Sequence, residues 1–140
     1  MNRIILASHG GMSAGVRDTI TMVLGELPNV YAVATTRDET ESVVTAARRL
    51  MDSFDPEDQV FILTDVLGGS VNNDMITLLP DYPKTELICG MNLSLALCLC
   101  MAQEPLSPEG IQEVIGQARS QIIDCARMLR EREQEQEDDL

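Results

Sequence analysis

The sequence predicts an α/β fold: a single domain of three layers, with a central, mainly parallel sheet of four strands in the order 2-1-3-4 flanked by helices. Three observations carry this prediction. Short apolar runs alternate with helix-periodic stretches along the 140 residues, the pattern of successive βα units. The runs around Ile4 to Ala7 and Val60 to Leu63 are almost wholly apolar instead of alternating, as strands covered on both faces are. Two of the runs end in a chemistry-bearing residue followed by glycines, at Ser8-His9-Gly10-Gly11 and at Asp65-Val66-Leu67-Gly68-Gly69-Ser70. Periodicity alone leaves the strand order open. The order 2-1-3-4 makes strands one and three neighbours at the switch point, where open α/β sheets bind ligands outside the carboxyl ends of their strands.

Strand one covers about residues 3 to 8. Val16, Ile20, Val23, Leu24 and Leu27 then recur at helical spacing, predicting a helix over about 13 to 26 with Ser13 as its cap and Pro28-Asn29 as its end. Val30 to Thr35 is a β-rich run. Val43, Ala47, Leu50, Met51 and Phe54 mark an amphipathic helix over about 39 to 54, opened by Thr36 or Asp38 and closed by Asp55-Pro56. Gln59 to Thr64 is the third strand. A helix over about 71 to 79 follows, stopped by Pro80 and Pro83, and then a fourth strand from Glu86 to Gly90. Asn92 introduces a leucine-rich helix over about 93 to 102, apolar most of the way round, which is either deeply buried or part of a subunit interface. Ser107-Pro108-Glu109 starts a final helix with a cap, a first-turn proline and an acid at the positive end of the dipole. Its apolar face, Ile111, Ile115, Ala118, Ile122, Cys125 or Ala126, and Leu129, runs to about residue 131. The organisation expected is therefore one domain over 1–130 and an acidic helix end or tail over 131–140.

Composition narrows the partners. A net charge of −13 with a single lysine, Lys84, disfavours nucleic acid, whose phosphates call for clustered cations; a basic protein surface suits this chain better. Part of the charge is local, because residues 131–140 carry six acids against Arg132. Neither a signal peptide nor a membrane anchor is expected, since no basic leader is visible and the longest apolar run, Leu93 to Ala102, is too short to span a bilayer. Cys89, Cys98, Cys100 and Cys125 show no C-x-x-C spacing and no companion histidine, which disfavours zinc and disulfides and leaves buried thiols of a cytosolic protein.

His9 is the only histidine. Such a residue at a strand end can simply hydrogen-bond a neighbouring backbone, but its place at the carboxyl rim, with Gly10 and Gly11 letting backbone amides approach, points to a ligand. In the order 2-1-3-4 it lies beside Asp65. A carboxylate next to an imidazole accepts a hydrogen bond from one ring nitrogen, fixes the tautomer and leaves the other lone pair aimed outward, a nucleophile for phosphorus. Gly68-Gly69-Ser70 adds a glycine-rich helix start whose N–H groups, with the Ser70 hydroxyl, can bind phosphate oxygens; Ser70 also suits a plain N-cap. Arg17 either reaches toward the site from the first helix or lies on an exposed face.

Three stretches, Ile-Leu-Ala-Ser-His-Gly-Gly-Met-Ser-Ala-Gly-Val near the start, Asp-Val-Leu-Gly-Gly-Ser-Val-Asn at 65–72 and Ile-Cys-Gly-Met-Asn-Leu at 88–93, resemble the mannose-type IIA components of the bacterial phosphoenolpyruvate-dependent sugar phosphotransferase system. The likeness extends to about residue 130. It implies that His9 is the residue phosphorylated, on Nε2, that Asp65 bonds its ring, and that Gly69 and Ser70 face the phosphate. It implies further that the phosphocarrier protein HPr is the donor, that a IIB component on a separate chain is the acceptor, and that sugar is phosphorylated on entry through membrane IIC and IID partners. No metal or organic cofactor is implied, and a homodimer is. The chain departs from the family pattern in Val71, where proline commonly follows Gly-Gly-Ser, and in a C-terminal end that reads as helix where some relatives exchange a strand between subunits.

The reading adopted is a cytoplasmic phosphocarrier, meeting the membrane only through the transporter, with His9, Asp65 and Ser70 catalytic and Gly10, Gly68, Gly69 and Ser70 at the phosphate. A histidine-dependent phosphatase would need further cations or a second histidine. A receiver-type domain phosphorylated on Asp65 would need clustered acids after strand one to hold magnesium. The rival of another class is a regulatory or dihydroxyacetone-kinase-linked module of the same fold.

Overall fold

The structure is a computed structural model that describes residues 2–38, 40–102 and 105–139. In chain order it consists of β1 (Asn2–His9), α1 (Met12–Leu24), β2 (Val30–Thr35), α2 (Val43–Ser53), β3 (Gln59–Thr64), α3 (Ser70–Ile76), β4 (Thr85–Cys89), α4 (Leu93–Met101), α5 (Pro108–Ser120) and α6 (Cys125–Asp138). The strands form one parallel sheet in the order β2-β1-β3-β4.

Alternation along the two central strands builds a core on each face of the sheet. Ile4 and Leu6 of β1, with Phe61 and Leu63 of β3, point to the side covered by α1, α4 and α5, where Ile20, Leu95, Leu99 and Ile111 meet them. Ile5, Ala7, Val60 and Ile62 point to the other side, against Val43, Ala47 and Met51 of α2 and Val71 and Met75 of α3. The side chains of Ile4, Ile5, Leu6, Phe61, Ile62 and Leu63 are all fully buried, each contributing about 1.5–3 kcal/mol of transfer free energy. The central pair is thus a rigid base for whatever its carboxyl ends carry.

Several local expectations are corrected. Ser13 does not cap α1: Gly11 holds the cap position, and Ser13 is buried, its N–H donating to Ser8 Oγ and its hydroxyl to the Val33 carbonyl. That helix stops at Leu24, before Pro28, because Gly25 takes φ +85°. Neither Thr36 nor Asp38 opens α2. Ser42 does, its side chain accepting the Thr45 N–H. Pro80 lies inside a single 3-10 turn, Leu79–Asp81, since a proline is tolerated at a helix start. The long final helix is broken at residues 121–124: Asp124 caps a new helix by accepting the Arg127 N–H, so α6 begins before the expected boundary at 130. Cys125 is exposed, and Cys89, Cys98 and Cys100 are half-buried instead of buried. Asn92 and Ser107 cap α4 and α5 as expected.

Candidate functional site

Register alone brings the two candidate residues together. Ala7 of β1 stands opposite Thr64, the last residue of β3, so Asp65 leaves the sheet beside Ser8 and His9. The His9 N–H donates to Asp65 Oδ2 at 2.8 Å and its ring Nδ1 lies 2.7 Å from the same oxygen. The other carboxylate oxygen, Oδ1, accepts the Val66 N–H at 2.9 Å. On the far side of the ring, His9 Nε2 is 3.1 Å from Ser70 Oγ.

This geometry fixes the tautomer of the neutral ring. Burial pushes the Asp65 carboxyl up, but hydrogen bonds from the His9 N–H, the His9 ring and the Val66 N–H outweigh it and hold Asp65 below the usual carboxylate value. A charged carboxylate only accepts, so Nδ1 must carry the proton and Nε2 the lone pair. The Ser70 hydroxyl then donates to Nε2. The His9 side chain is 46 % exposed while the carboxylate is 11 % exposed, so the imidazole faces solvent and the acid that bonds it is shielded from water.

The turn between Asp65 and Ser70 is shaped by its glycines. Gly68 adopts φ +80°, and a Cβ on Gly69 would sit 2.8 Å from Val66 Cγ1 and 3.4 Å from His9 Cε1. Only a residue without a side chain lets the turn lie this close to the ring. Among the described residues no side chain caps α3; its backbone ladder begins with Asn73 N–H to Gly69 O, which leaves the N–H groups of its first turn directed outward. Val71, in place of proline, is fully buried against the core behind the turn.

One expectation changes and one open alternative is decided. The Gly10 N–H donates to the Thr35 carbonyl at 2.8 Å, extending the β1–β2 pairing, so this amide is engaged with the sheet. Of the two placements open to Arg17, the exposed face of α1 is the one found, where it lines an open groove with Asp18, Thr21, Glu26 and Leu27. Sequence reasoning left Thr64 and Asn72 out of the candidate site residues; both are buried and they are hydrogen-bonded to each other at 2.6 Å, and their places on either side of Asp65 and Ser70 were the available signal.

Comparison with known proteins identifies relatives of the whole chain. The family described as "PTS system fructose IIA component" matches residues 3–118. The sorbose-specific EIIA component of the phosphotransferase system of Klebsiella pneumoniae is 30% identical over 111 residues, covering 79% of this chain and 82% of that protein. Among solved structures, a Klebsiella pneumoniae protein assigned as a phosphoenolpyruvate-dependent sugar phosphotransferase system permease superposes with a TM-score of 0.80 at 27% identity, covering 91% of this chain and 93% of its own. The phosphotransferase system component EIIA of Streptococcus agalactiae has the same fold, with a TM-score of 0.79 at 22% identity over 91% of this chain and 99% of its own.

Proposed function

This chain belongs to the fructose/mannose-type IIA family of the sugar phosphotransferase system, and from that premise we propose that it carries a phosphoryl group on His9 from phospho-HPr to a IIB component. The observation that carries this reading is the ring held between Asp65 on Nδ1 and Ser70 on Nε2.

In the first half-reaction the His9 Nε2 lone pair attacks the phosphorus of the donor's phosphohistidine in line. The N–P bond of the donor breaks, and its electron pair returns to the donor imidazole. The Nδ1 proton stays on the ring throughout, and Asp65 balances the positive charge that develops there. Ser70 must release Nε2 as the phosphoryl group arrives, and its hydroxyl, with the N–H groups that open α3, then serves the phosphoryl oxygens. Gly68 and Gly69 shape that turn; Gly10, its amide held by Thr35, lets the chain bend away. Transfer to the IIB acceptor is the same displacement with His9 as leaving group. No cofactor takes part.

The carrier unit is residues 1–130, a boundary that falls within α6, with 131–140 its acidic extension, and it acts in the cytoplasm, meeting the IIC and IID partners of the membrane only through IIB. Among the described residues no helix is long and apolar enough to cross a membrane. The strongly negative charge favours docking on basic partner faces, chiefly as an on-rate effect. A homodimer is supported by α6, which buries none of its described residues, and by the exposed Ile122, Ile123 and Leu129, which a second copy would cover.

The test is incubation with phosphoenolpyruvate, enzyme I and HPr, with and without a IIB component. Acid-labile phosphate is expected on the wild type, none on His9→Ala, and its loss when IIB is added. Label on the mutant would overturn the assignment. Label that never leaves the wild type would instead identify a regulatory or dihydroxyacetone-kinase-linked module.

A further inference from the structure

Both partners of the His9 ring come from one short stretch of chain. Asp65 directly follows β3 and Ser70 opens α3, so the turn joining these elements sets the distance between them. Side chains close the neck of that turn: Thr64 donates its hydroxyl to Asn72 Oδ1 at 2.6 Å. Thr64 and Asn72 are both buried, and Ile62, Leu63, Val71 and Met75 nearby in the chain are fully buried apolar residues. Thr64 is tied a second time through its carbonyl, which accepts the N–H groups of Gly90 at 3.0 Å and Met91 at 2.7 Å. Farther round the turn Gly69 N–H donates to Val66 O at 3.1 Å and Asn73 Nδ2 to Gly68 O at 3.3 Å.

Net stability alone is a weak reason for such a pair. Replacing both partners of a buried hydrogen bond with apolar groups of similar shape is close to neutral, whereas removing one leaves the other unsatisfied. What apolar packing would not supply is direction. A hydrogen bond between buried side chains is directional and favours one register of α3 against the end of β3, where non-directional contacts would let the helix shift. A shift there would move Ser70 relative to Asp65.

We propose that Thr64 and Asn72 are positioning residues: their hydrogen bond sets the separation of Asp65 and Ser70, and so keeps His9 protonated on Nδ1 with Nε2 presented for transfer. The rate consequence rests on the phosphocarrier reading of His9, whereas the effect on the tautomer does not.

The test compares full-length Thr64→Val, Thr64→Ser and Thr64→Val/Asn72→Leu with wild type. Three quantities are measured: the denaturation midpoint, the ring 15N shifts of the neutral imidazole, and the rate of transfer from phospho-HPr. Because His9 is the only histidine, its ring signals are unambiguous. The double variant is expected to unfold near the wild-type midpoint, to show mixed Nδ1–H and Nε2–H signals, and to transfer about tenfold more slowly. Thr64→Ser keeps the hydroxyl and is expected to restore both. Wild-type ring signals and rate in Thr64→Val and in the double variant would overturn the proposal, as would a folded Thr64→Ser that restores neither. If the double variant does not fold, the ring signals of Thr64→Val set against those of Thr64→Ser decide the matter. If the wild type takes up no phosphoryl group, the carrier reading fails on its own and the 15N spectra still decide for or against the positioning role of Thr64 and Asn72.

Discussion

His9 and Asp65 lie 56 positions apart in the chain, yet one carboxylate oxygen, Asp65 Oδ2, takes hydrogen bonds from both the backbone N–H and the ring of His9. The backbone contact makes this more than a pairing of side chains. It fixes where the histidine leaves the sheet, and the ring contact fixes which way it faces. Asp65→Asn keeps the shape but loses the charge that, in the proposed mechanism, holds the Nδ1 proton and balances the phosphorylated ring. It is expected to slow phosphorylation of His9 by about 10²-fold or more, read as acid-labile label against time, with an unchanged circular dichroism spectrum. Ser70→Ala removes one neutral hydrogen bond, worth about 0.5–1.5 kcal/mol, and is expected to cost no more than about tenfold in the same assay.

The lowered pKa of Asp65 has a consequence for stability. The folded state holds this carboxyl below its ordinary value of 3.8, so as pH falls the unfolded chain takes up the proton first. The stabilisation is therefore fully present above the unfolded value and is lost as pH drops through the folded one. Asp58, held low chiefly by its hydrogen bond from Arg3, acts in the same direction. Denaturant midpoints measured between pH 7 and pH 3 should fall less steeply for Asp65→Asn than for wild type. Parallel acid limbs would show that Asp65 contributes no linkage.

The parts legible in the sequence are those that local pattern determines. The bounds of β2 and β3 follow from their apolar runs, and the candidate site from two strand ends marked by glycines. What local pattern missed depended on neighbours distant in the chain. Ser13 sits on the buried face of α1 because Ser8 and Val33 bond it there, and nothing within α1 announces that. Ser42 competes as a cap with Thr36 and Asp38, and its place before the stripe Val43, Ala47 and Met51 is settled only when α2 docks. The break after α5 was hidden because Ile122 continues the stripe of Ile111, Ile115 and Ala118, although Asp124 is itself a cap-forming residue. The engagement of the Gly10 amide with Thr35 is a property of sheet pairing, which periodicity does not record.

The cysteines give an independent check on packing. Burial pushes the Cys100 thiol up to about 11, whereas Cys125 is exposed at the start of α6. Since thiolate is the reacting species, a thiol reagent at pH 8 is expected to modify Cys125 first and Cys100 last in the native protein. Cys100 should catch up on addition of denaturant. Peptide mapping after timed quenching would read the order, and early modification of Cys100 would mean that α4 is not seated as described.

The turn beside the ring allows a test by crowding. An added Cβ on Gly69 would meet Val66 Cγ1 at 2.8 Å, the Val66 carbonyl at 3.2 Å and His9 Cε1 at 3.4 Å, so Gly69→Ala must open the turn or push the imidazole. Overpacking of this kind costs about 1–3 kcal/mol, and any displacement of Ser70 from Nε2 should also slow phosphoryl transfer. The tightest of the three contacts is with a side chain, and Val66 is 53 % exposed, so Val66→Ala removes it at little expense to the core. Gly69→Ala/Val66→Ala should therefore recover part of the stability and transfer lost in Gly69→Ala. Recovery should be incomplete, because the carbonyl contact at 3.2 Å remains. A double variant no better than Gly69→Ala would place the obstruction at the backbone or at His9, and full wild-type behaviour in Gly69→Ala alone would mean that the turn does not constrain the ring.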